Sequence, residues 1–83
     1  MKRLLAYKPA ALRQLARMDR TDTERVVRAL EVFAATGHGD VKALKGALKG
    51  RHRLRVGKWR VFFRFDPPGT ILVIDLDTRG QAY

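Results

Sequence analysis

The sequence has 83 residues, no cysteine and a formal net charge of +10. This length predicts a single domain, residues 1–83, and the absence of cysteine excludes disulfides and zinc held by thiolates. No apolar run approaches the roughly 18 residues that span a bilayer, so we expect a cytoplasmic protein with no membrane contact, and the excess of Lys and Arg indicates a negatively charged partner.

The first third of the sequence predicts one strand and a first helix. Residues 2–7 are short and apolar enough for a strand. Pro9 suits the first position of the helix, because proline lacks an N–H that would have no partner there. Apolar residues then recur at helical spacing to about Met18. The exposed face of this helix is predicted to carry Arg13, Gln14 and Arg17.

A second helix follows directly. Thr21 and Glu24 have the spacing of a capping box, so we expect the helix to begin there. Gly37 is placed to end it in the left-handed conformation. Two consecutive helices predict a helical hairpin whose apolar faces are buried against the strands that follow.

The second half predicts three strands after a loop and a short basic segment. Residues 51–56 and 59–66 are expected to pair as an antiparallel hairpin around Gly57-Lys58, a turn with glycine first that suits type II′. Residues 70–76 form an apolar, β-branched run typical of a strand buried on both sides. The expected fold is α+β, in the order β-α-α-β-β-β, with the helical hairpin on one face of a small, mostly antiparallel sheet.

Nine of the eighteen Lys and Arg residues lie between Lys42 and Arg64, where no Asp or Glu occurs. Because strand side chains alternate between faces, the run RHRLRV places its arginines on one side and His52, Leu54 and Val56 on the other. Trp59 shares the parity of the apolar residues and is expected in the core. The residues expected to contact phosphates diffusely are Lys42, Lys45, Lys49, Arg51, Lys58 and Arg64.

Three segments resemble one known family. VKALKG, HRLRVGKWRVFF and the closing TRGQAY resemble the RelE/ParE superfamily of toxins from type II toxin–antitoxin modules. The layout of strand, proline and two helices is also similar, so the resemblance covers nearly the whole chain. It implies a cognate antitoxin as partner, with operator DNA bound only through the toxin–antitoxin complex.

The residues match the RelE-like branch, which implies a ribosome-dependent endoribonuclease that cuts mRNA by attack of the ribose 2′-hydroxyl. The implied catalytic residues are Arg53, Arg55, Arg60, Arg79 and Tyr83. The guanidiniums of the arginines would stabilise the negative charge that develops on the phosphate during the attack. The resemblance implies that Tyr83 is the general base. The α-carboxylate beside it is the alternative proton acceptor. This chemistry requires no metal or cofactor, and neither His38 nor His52 has a partner at ligand spacing.

The sequence is compatible with several alternatives. ParE-like members share the fold but inhibit DNA gyrase without cutting nucleic acid, and a degenerate toxin could act mainly within an antitoxin repressor complex. The sequence also departs from the common pattern, since Thr78 stands where many members have histidine before the arginine. A solvated strand face explains Arg60 and Arg64 equally well, and Tyr83 could be an ordinary packed aromatic.

Overall fold

The computed structural model describes residues 2–78, which form two helices and a five-stranded sheet. The α+β class is confirmed, with one strand more than predicted. No helix in residues 2–78 is long and apolar enough to cross a membrane. In chain order the elements are β1 (Leu4–Tyr7), α1 (Pro9–Arg17), α2 (Arg20–Thr36), β2 (Asp40–Ala43), a 3₁₀ turn (Gly46–Leu48), β3 (Arg51–Val56), β4 (Trp59–Asp66) and β5 (Thr70–Asp77).

The strands lie in the order β1-β5-β4-β3-β2. The pairs β2/β3, β3/β4 and β4/β5 are antiparallel, and β1 runs parallel to β5. Strand β2 forms at the end of the predicted loop and the start of the short basic segment, where no strand was predicted. It has four residues, too few for a period of two to be recognised, and it exists because β3 offers a free edge on which Val41 pairs with Leu54.

The second helix begins earlier than predicted, so the expected capping box is wrong. Asp19 is the N-cap, and its carboxylate accepts a hydrogen bond from the backbone N–H of Thr21 at 3.2 Å. An aspartate caps at least as well as a threonine, and it stands one residue before the helix starts. Glu24 lies inside the helix and pairs with Arg20, 3.7 Å away, while Gly37 ends the helix with φ 80° as predicted.

The hydrophobic core lies between the sheet and the two helices, which pack on the same face. Val26 and Leu30 of α2 and Phe63 of β4 are fully buried there. The Thr23 hydroxyl donates to the carbonyl of Leu15 at 2.9 Å, which ties α2 to α1 across the two-residue connection. The opposite side of the sheet is called the open face below.

The hairpin between β3 and β4 has the predicted turn. Gly57 has φ 58°, and no residue other than glycine has a positive φ among those described. A type II′ turn requires a positive φ at its first central position only, so glycine followed by Lys58 satisfies it. This turn sets the register in which the arginines of the two strands face one another.

Candidate active site on the open sheet face

The three arginines assigned to the hairpin lie together on the open face. Arg55 is directly opposite Arg60 across the β3/β4 pair, and Arg53 lies two residues along β3 from Arg55. Residues directly opposite in an antiparallel pair share a face, and so do residues two apart on one strand. The shared side that the alternation predicts is therefore present in the structure.

Arg53 is partly buried. Its side chain is 17% exposed, and its Nη2 atom lies 3.7 Å from Oδ1 of Asp40 on β2. Within the described residues, its Nε atom is buried and has no hydrogen-bond partner. A buried donor without a partner costs about 1–3 kcal/mol, so an anion that accepted this N–H would stabilise the arrangement.

Other cations surround the three arginines. Lys42 is opposite Arg53, and Arg51 is opposite Arg64, whose Nε lies 3.4 Å from Oδ1 of Asp66. Lys45 and Lys49 flank the 3₁₀ turn that leads into β3.

Lys58 lies apart from this group, at the hairpin turn near the start of α2. Its Nζ atom is 3.7 Å from Oδ2 of Asp22. The structure therefore groups the strand cations on one face and places Lys58 at the helix side.

Besides Asp66, which pairs with Arg64, three carboxylates that were not predicted from the sequence occupy the open face. Asp77 is directly opposite Arg60, and Asp75 is directly opposite Phe62, the neighbour of Arg53. Asp40 is opposite Arg55 on the other side of β3. The open face is thus a mixed array of cations and carboxylates rather than a uniformly positive surface.

A β-bulge in β5 is responsible for the position of both aspartates on this strand. Phe62 pairs with Asp75 and Phe63 with Val73, so Ile74 is an extra residue. Strict alternation would have placed Asp75 on the same face as Val73, against the helices. The extra residue reverses this, and Leu76 points into the core instead, where it is 3% exposed.

The sequence did contain a signal for this bulge. In the run TILVIDLD, a period of two puts both aspartates on the face of Ile71 and Val73. Charged side chains are almost never fully buried unless they are paired. Either the strand ends at Ile74 or the alternation is interrupted, and the structure shows the second solution.

The carboxyl of Asp75 is half-buried. Burial raises its pKa above the usual value for aspartate, the nearby charge of Asp77 raises it further, and Arg51 opposes the shift. A carboxyl group with a raised pKa beside arginines is suited to proton transfer.

Gln14 holds the backbone of β5 next to these aspartates. Its Nε2 donates to the carbonyl of Leu76 at 2.6 Å, and its Oε1 accepts from the N–H of Leu76 at 2.9 Å. Strand β1 pairs with β5 only as far as Val73, so the side-chain amide satisfies the backbone beyond that point. The predicted exposure of Gln14 is therefore wrong, because helical periodicity does not reveal a partner 62 residues away.

Trp59 and Phe63 lie on the core side of the hairpin, as their parity predicts, whereas Phe62 lies on the open face. Trp59 packs against the core and its Nε1 donates to Asp22 at 3.1 Å. His52 stacks on Phe63 with ring centroids 5.4 Å apart. Residues 2–78 contain no group of three His, Cys, Asp or Glu side chains arranged to hold a metal ion. Arg79 and Tyr83, which the resemblance assigns to the site, lie outside the described residues.

The comparison that decides the family covers almost the entire sequence. The profile of a family described as the ParE toxin of the type II toxin–antitoxin system, parDE, matches residues 5–83. The chain belongs to the ParE toxin family. The expected RelE/ParE superfamily is thereby confirmed, and the protein is a toxin of the type II class. No curated protein matches the sequence at a significant level.

Solved structures share the fold of this ParE-family toxin. A chain of the toxin–antitoxin complex RelBE2 from Mycobacterium tuberculosis is 22% identical with a TM-score of 0.83, covering 95% of this chain and 100% of that chain. A chain of the archaeal RelE–RelB complex from Pyrococcus horikoshii OT3 is 20% identical with a TM-score of 0.80, covering 99% and 100%. A chain of the YoeB–YefM complex from Staphylococcus aureus is 15% identical with a TM-score of 0.75, covering 95% and 99%.

Proposed function

We propose that this toxin is an endoribonuclease that cuts mRNA on the ribosome without a metal ion. The observation that carries the proposal is the grouping of Arg53, Arg55 and Arg60 on the open face, with Nε of Arg53 buried and lacking a partner in the described part of the chain. A phosphate group would accept from these donors.

The energetics of the face favour an anionic ligand. Arg55 and Arg60 face each other directly, and like charges at such positions destabilise a sheet. Arg51 and Arg64 form a second pair of this kind. A bound phosphodiester would convert this repulsion into attraction, and guanidiniums can each donate two parallel hydrogen bonds to it.

In the proposed reaction the ribose 2′-oxygen attacks the adjacent phosphorus and the 5′-oxygen leaves. The products are a 2′,3′-cyclic phosphate and a free 5′-hydroxyl. The three arginines stabilise the negative charge that develops on the phosphate oxygens. Arg79 is proposed to neutralise the leaving oxygen, and Tyr83 is the residue that the resemblance assigns to proton transfer. The ribosome would align the mRNA for in-line attack.

The proposal includes partners. We expect a cognate antitoxin with an acidic or amphipathic segment that covers the cations of the open face, and operator DNA would be bound only through that complex. The structural relatives described above are toxin–antitoxin complexes, which supports an antitoxin as partner. Ribosomes as target imply that the toxin acts in the cytoplasm.

A second function, inhibition of DNA gyrase, is favoured by two observations. The matching family is described as the ParE toxin. In addition, the carboxylates of Asp40, Asp75 and Asp77 share the open face with the arginines. A mixed array suits a protein surface better than it suits a polyanion.

One experiment with parallel assays separates these functions. The purified toxin is added to ribosomes translating a defined mRNA, the new mRNA ends are mapped, and gyrase supercoiling is measured with the same preparation. We expect cuts in the ribosomal A site that leave a cyclic phosphate, and no cut where the nucleotide 5′ of the scissile bond carries a 2′-deoxyribose. Gyrase inhibition without mRNA cleavage would establish the alternative.

Matched variants assign the reaction to the open face. The double variant Arg55→Gln/Arg60→Gln is expected to lose at least about 100-fold in cleavage rate, because one stabilising donor alone contributes on the order of 10²–10³. Arg13→Gln/Arg17→Gln removes the same charge from the exposed face of α1 and should cleave normally. Equal losses in both variants would mean that net charge, not the site, matters. Cuts undiminished in Arg79→Ala and Tyr83→Phe would remove those two residues from the reaction.

A further inference from the structure

Asp75 differs from the other carboxylates of the open face. Asp40 lies 3.7 Å from Arg53 and its side chain is 65% exposed. Asp77 is directly opposite Arg60. Asp75 is half-buried, its opposite residue is the apolar Phe62, and no Lys or Arg in residues 2–78 forms an ion pair with it. Within the described residues its carboxylate is therefore near the arginines but forms no ion pair with one.

The distance across the sheet suits a shared substrate. Asp75, Phe62 and Arg53 lie in one row across β5, β4 and β3. Neighbouring strands are about 4.8 Å apart, so the backbones of Asp75 and Arg53 are separated by roughly 10 Å. The Arg53 guanidinium is directed toward Asp40 on β2, whereas Arg60, two residues from Phe62 on β4, is a diagonal neighbour of Asp75, and such neighbours lie about 7–8 Å apart. Because Phe62 is only 4% exposed, the substrate would lie along this diagonal, with its phosphate at Arg60 and the ribose 2′-hydroxyl toward Asp75.

Two structural devices maintain this placement. The bulge at Ile74 directs Asp75 to the open face, and bulges commonly re-aim side chains beside active sites. The side-chain amide of Gln14 holds the next residue, Leu76, by two hydrogen bonds. A carboxylate held in this way loses little freedom when it accepts a proton.

We propose that Asp75 is the proton acceptor of the RNA cleavage described above, and that Gln14 is a positioning residue for it. The inference rests on the proposed function and assigns to Asp75 the step that the resemblance assigns to Tyr83.

The Asp75 carboxylate takes the 2′-hydroxyl proton as the bond from the 2′-oxygen to phosphorus forms. The bond from phosphorus to the 5′-oxygen breaks, and that oxygen receives a proton from water. Asp75 then returns its proton to solvent, so the toxin is unchanged.

The charges around Asp75 predict the pH dependence. Burial and Asp77 raise its pKa, and Arg51 lowers it. Since the base must be unprotonated, the cleavage rate should rise with pH through this raised pKa. The charged groups of β3, β4 and β5 that face the same side as Asp75 are Arg51, Arg53, Arg55, Arg60, Arg64, Asp66 and Asp77.

The test compares Asp75→Asn with Asp19→Asn. Both variants remove one negative charge, but Asp19 lies at the start of α2 and asparagine still caps a helix there. Single-turnover cleavage of ribosome-bound mRNA is measured from pH 5 to pH 8. Asp75→Asn should lose about 10²–10⁴-fold in rate, as removal of a general base does. The ratio of the Asp75→Asn cleavage rate to the wild-type rate should fall as the pH rises, while ribosome binding stays unchanged.

Further variants separate proton transfer from structure. Asp75→Ala should recover part of its rate when formate is added, since a small carboxylate can occupy the vacated space and accept the proton. Gln14→Leu should lower the rate at saturating ribosome concentration more than it weakens ribosome binding. Tyr83→Phe should retain more activity than Asp75→Asn.

The outcomes distinguish the two proposals. If the wild-type toxin does not cut mRNA, the proposed function falls and the role of Asp75 falls with it. If the wild type cuts and Asp75→Asn cuts at the same rate, or with the same pH profile, only the role of Asp75 is overturned. If Asp75→Asn loses ribosome binding in proportion to its rate, Asp75 binds substrate and is not the base.

Discussion

At the scale of single residues, Asp75 makes opposite contributions to stability and to chemistry. Its charged form is less favourable in the folded protein than in the unfolded chain, because burial outweighs the attraction of Arg51. The raised pKa in the folded state means that this carboxyl disfavours folding once the pH exceeds its unfolded value of about 3.9. Residues kept in such a position are often functional.

This leads to a measurable effect of Asp75→Asn on stability. At pH 7 the variant is expected to have a higher Tm than the wild type, because the neutral amide avoids the burial of a charge. The difference should shrink as the pH falls toward 4, since the wild-type carboxyl then becomes neutral too. Thermal unfolding of both proteins at several pH values checks this. A lower Tm for the variant at pH 7 would mean that attraction to Arg51 dominates.

At the scale of elements, the end of β5 depends on α1. Strand β1 stops pairing at Val73, which leaves the backbone of Leu76 without a strand neighbour on that side. The Gln14 amide supplies one donor and one acceptor there and so replaces a strand. The helix thereby contributes to the open face on the far side of the sheet, although none of its residues lies on that face.

Replacement of Gln14 should therefore lower the free energy of unfolding. Gln14→Leu has a similar volume but leaves the N–H and the carbonyl of Leu76 without partners, so we expect a loss of about 1–3 kcal/mol in the free energy of unfolding. Arg13→Leu, at the exposed neighbouring position, should change it by less than about 0.5 kcal/mol. Urea denaturation measures both. Equal effects would show that the two hydrogen bonds contribute little.

A charge variant at the same position gives a sharper test. Gln14→Glu keeps an acceptor for the Leu76 N–H but sets a carboxylate oxygen against the Leu76 carbonyl. Stability should therefore be lower than in the wild type at pH 7. It should partly recover below about pH 4, where the protonated acid can donate. The absence of any recovery would argue against a donor role for the Gln14 amide.

At the scale of the whole molecule, the charge of +10 works against the fold. The ion pairs within residues 2–78 do not offset it, because those such as Arg20–Glu24 are largely exposed, and exposed pairs typically contribute under about 1 kcal/mol. The opposed arginine pairs of the open face add local repulsion. The isolated toxin is therefore expected to be stabilised by screening and by bound anions.

Unfolding at different salt concentrations tests this expectation. Raising NaCl from about 10 to 150 mM should increase the Tm, and phosphate at equal ionic strength should increase it further, because guanidiniums bind phosphate oxygens in pairs. A gain of about 1 kcal/mol would correspond to roughly 4–8 °C for a chain of this size. A Tm that falls with salt would show that attraction between the carboxylates and arginines outweighs the repulsion.

Most of the fold could be predicted from local signals. The strands of the basic hairpin have the predicted bounds, Arg51–Val56 and Trp59–Asp66, because alternation and a glycine turn are both encoded within a few residues. Pro9 and Gly37 correctly marked one helix start and one helix end. Strand β2 and the N-cap Asp19 were missed, since a four-residue edge strand and a choice between two capping residues depend on tertiary pairing and on the length of the connection.

The candidate site, too, could be predicted only in part from the sequence. The sequence by itself determined that the arginines of β3 share a face, because the period of two is a local property of any strand, and it was sufficient to identify the toxin family. Only the tertiary structure decided which face Asp75 and Asp77 occupy, because the bulge at Ile74 arises from the pairing of β5 with β4. It also decided the contact of Gln14 with Leu76, which joins residues far apart in the chain. The proton acceptor proposed for the site therefore depends on strand register, which the local pattern of β5 narrowed to two solutions without deciding between them.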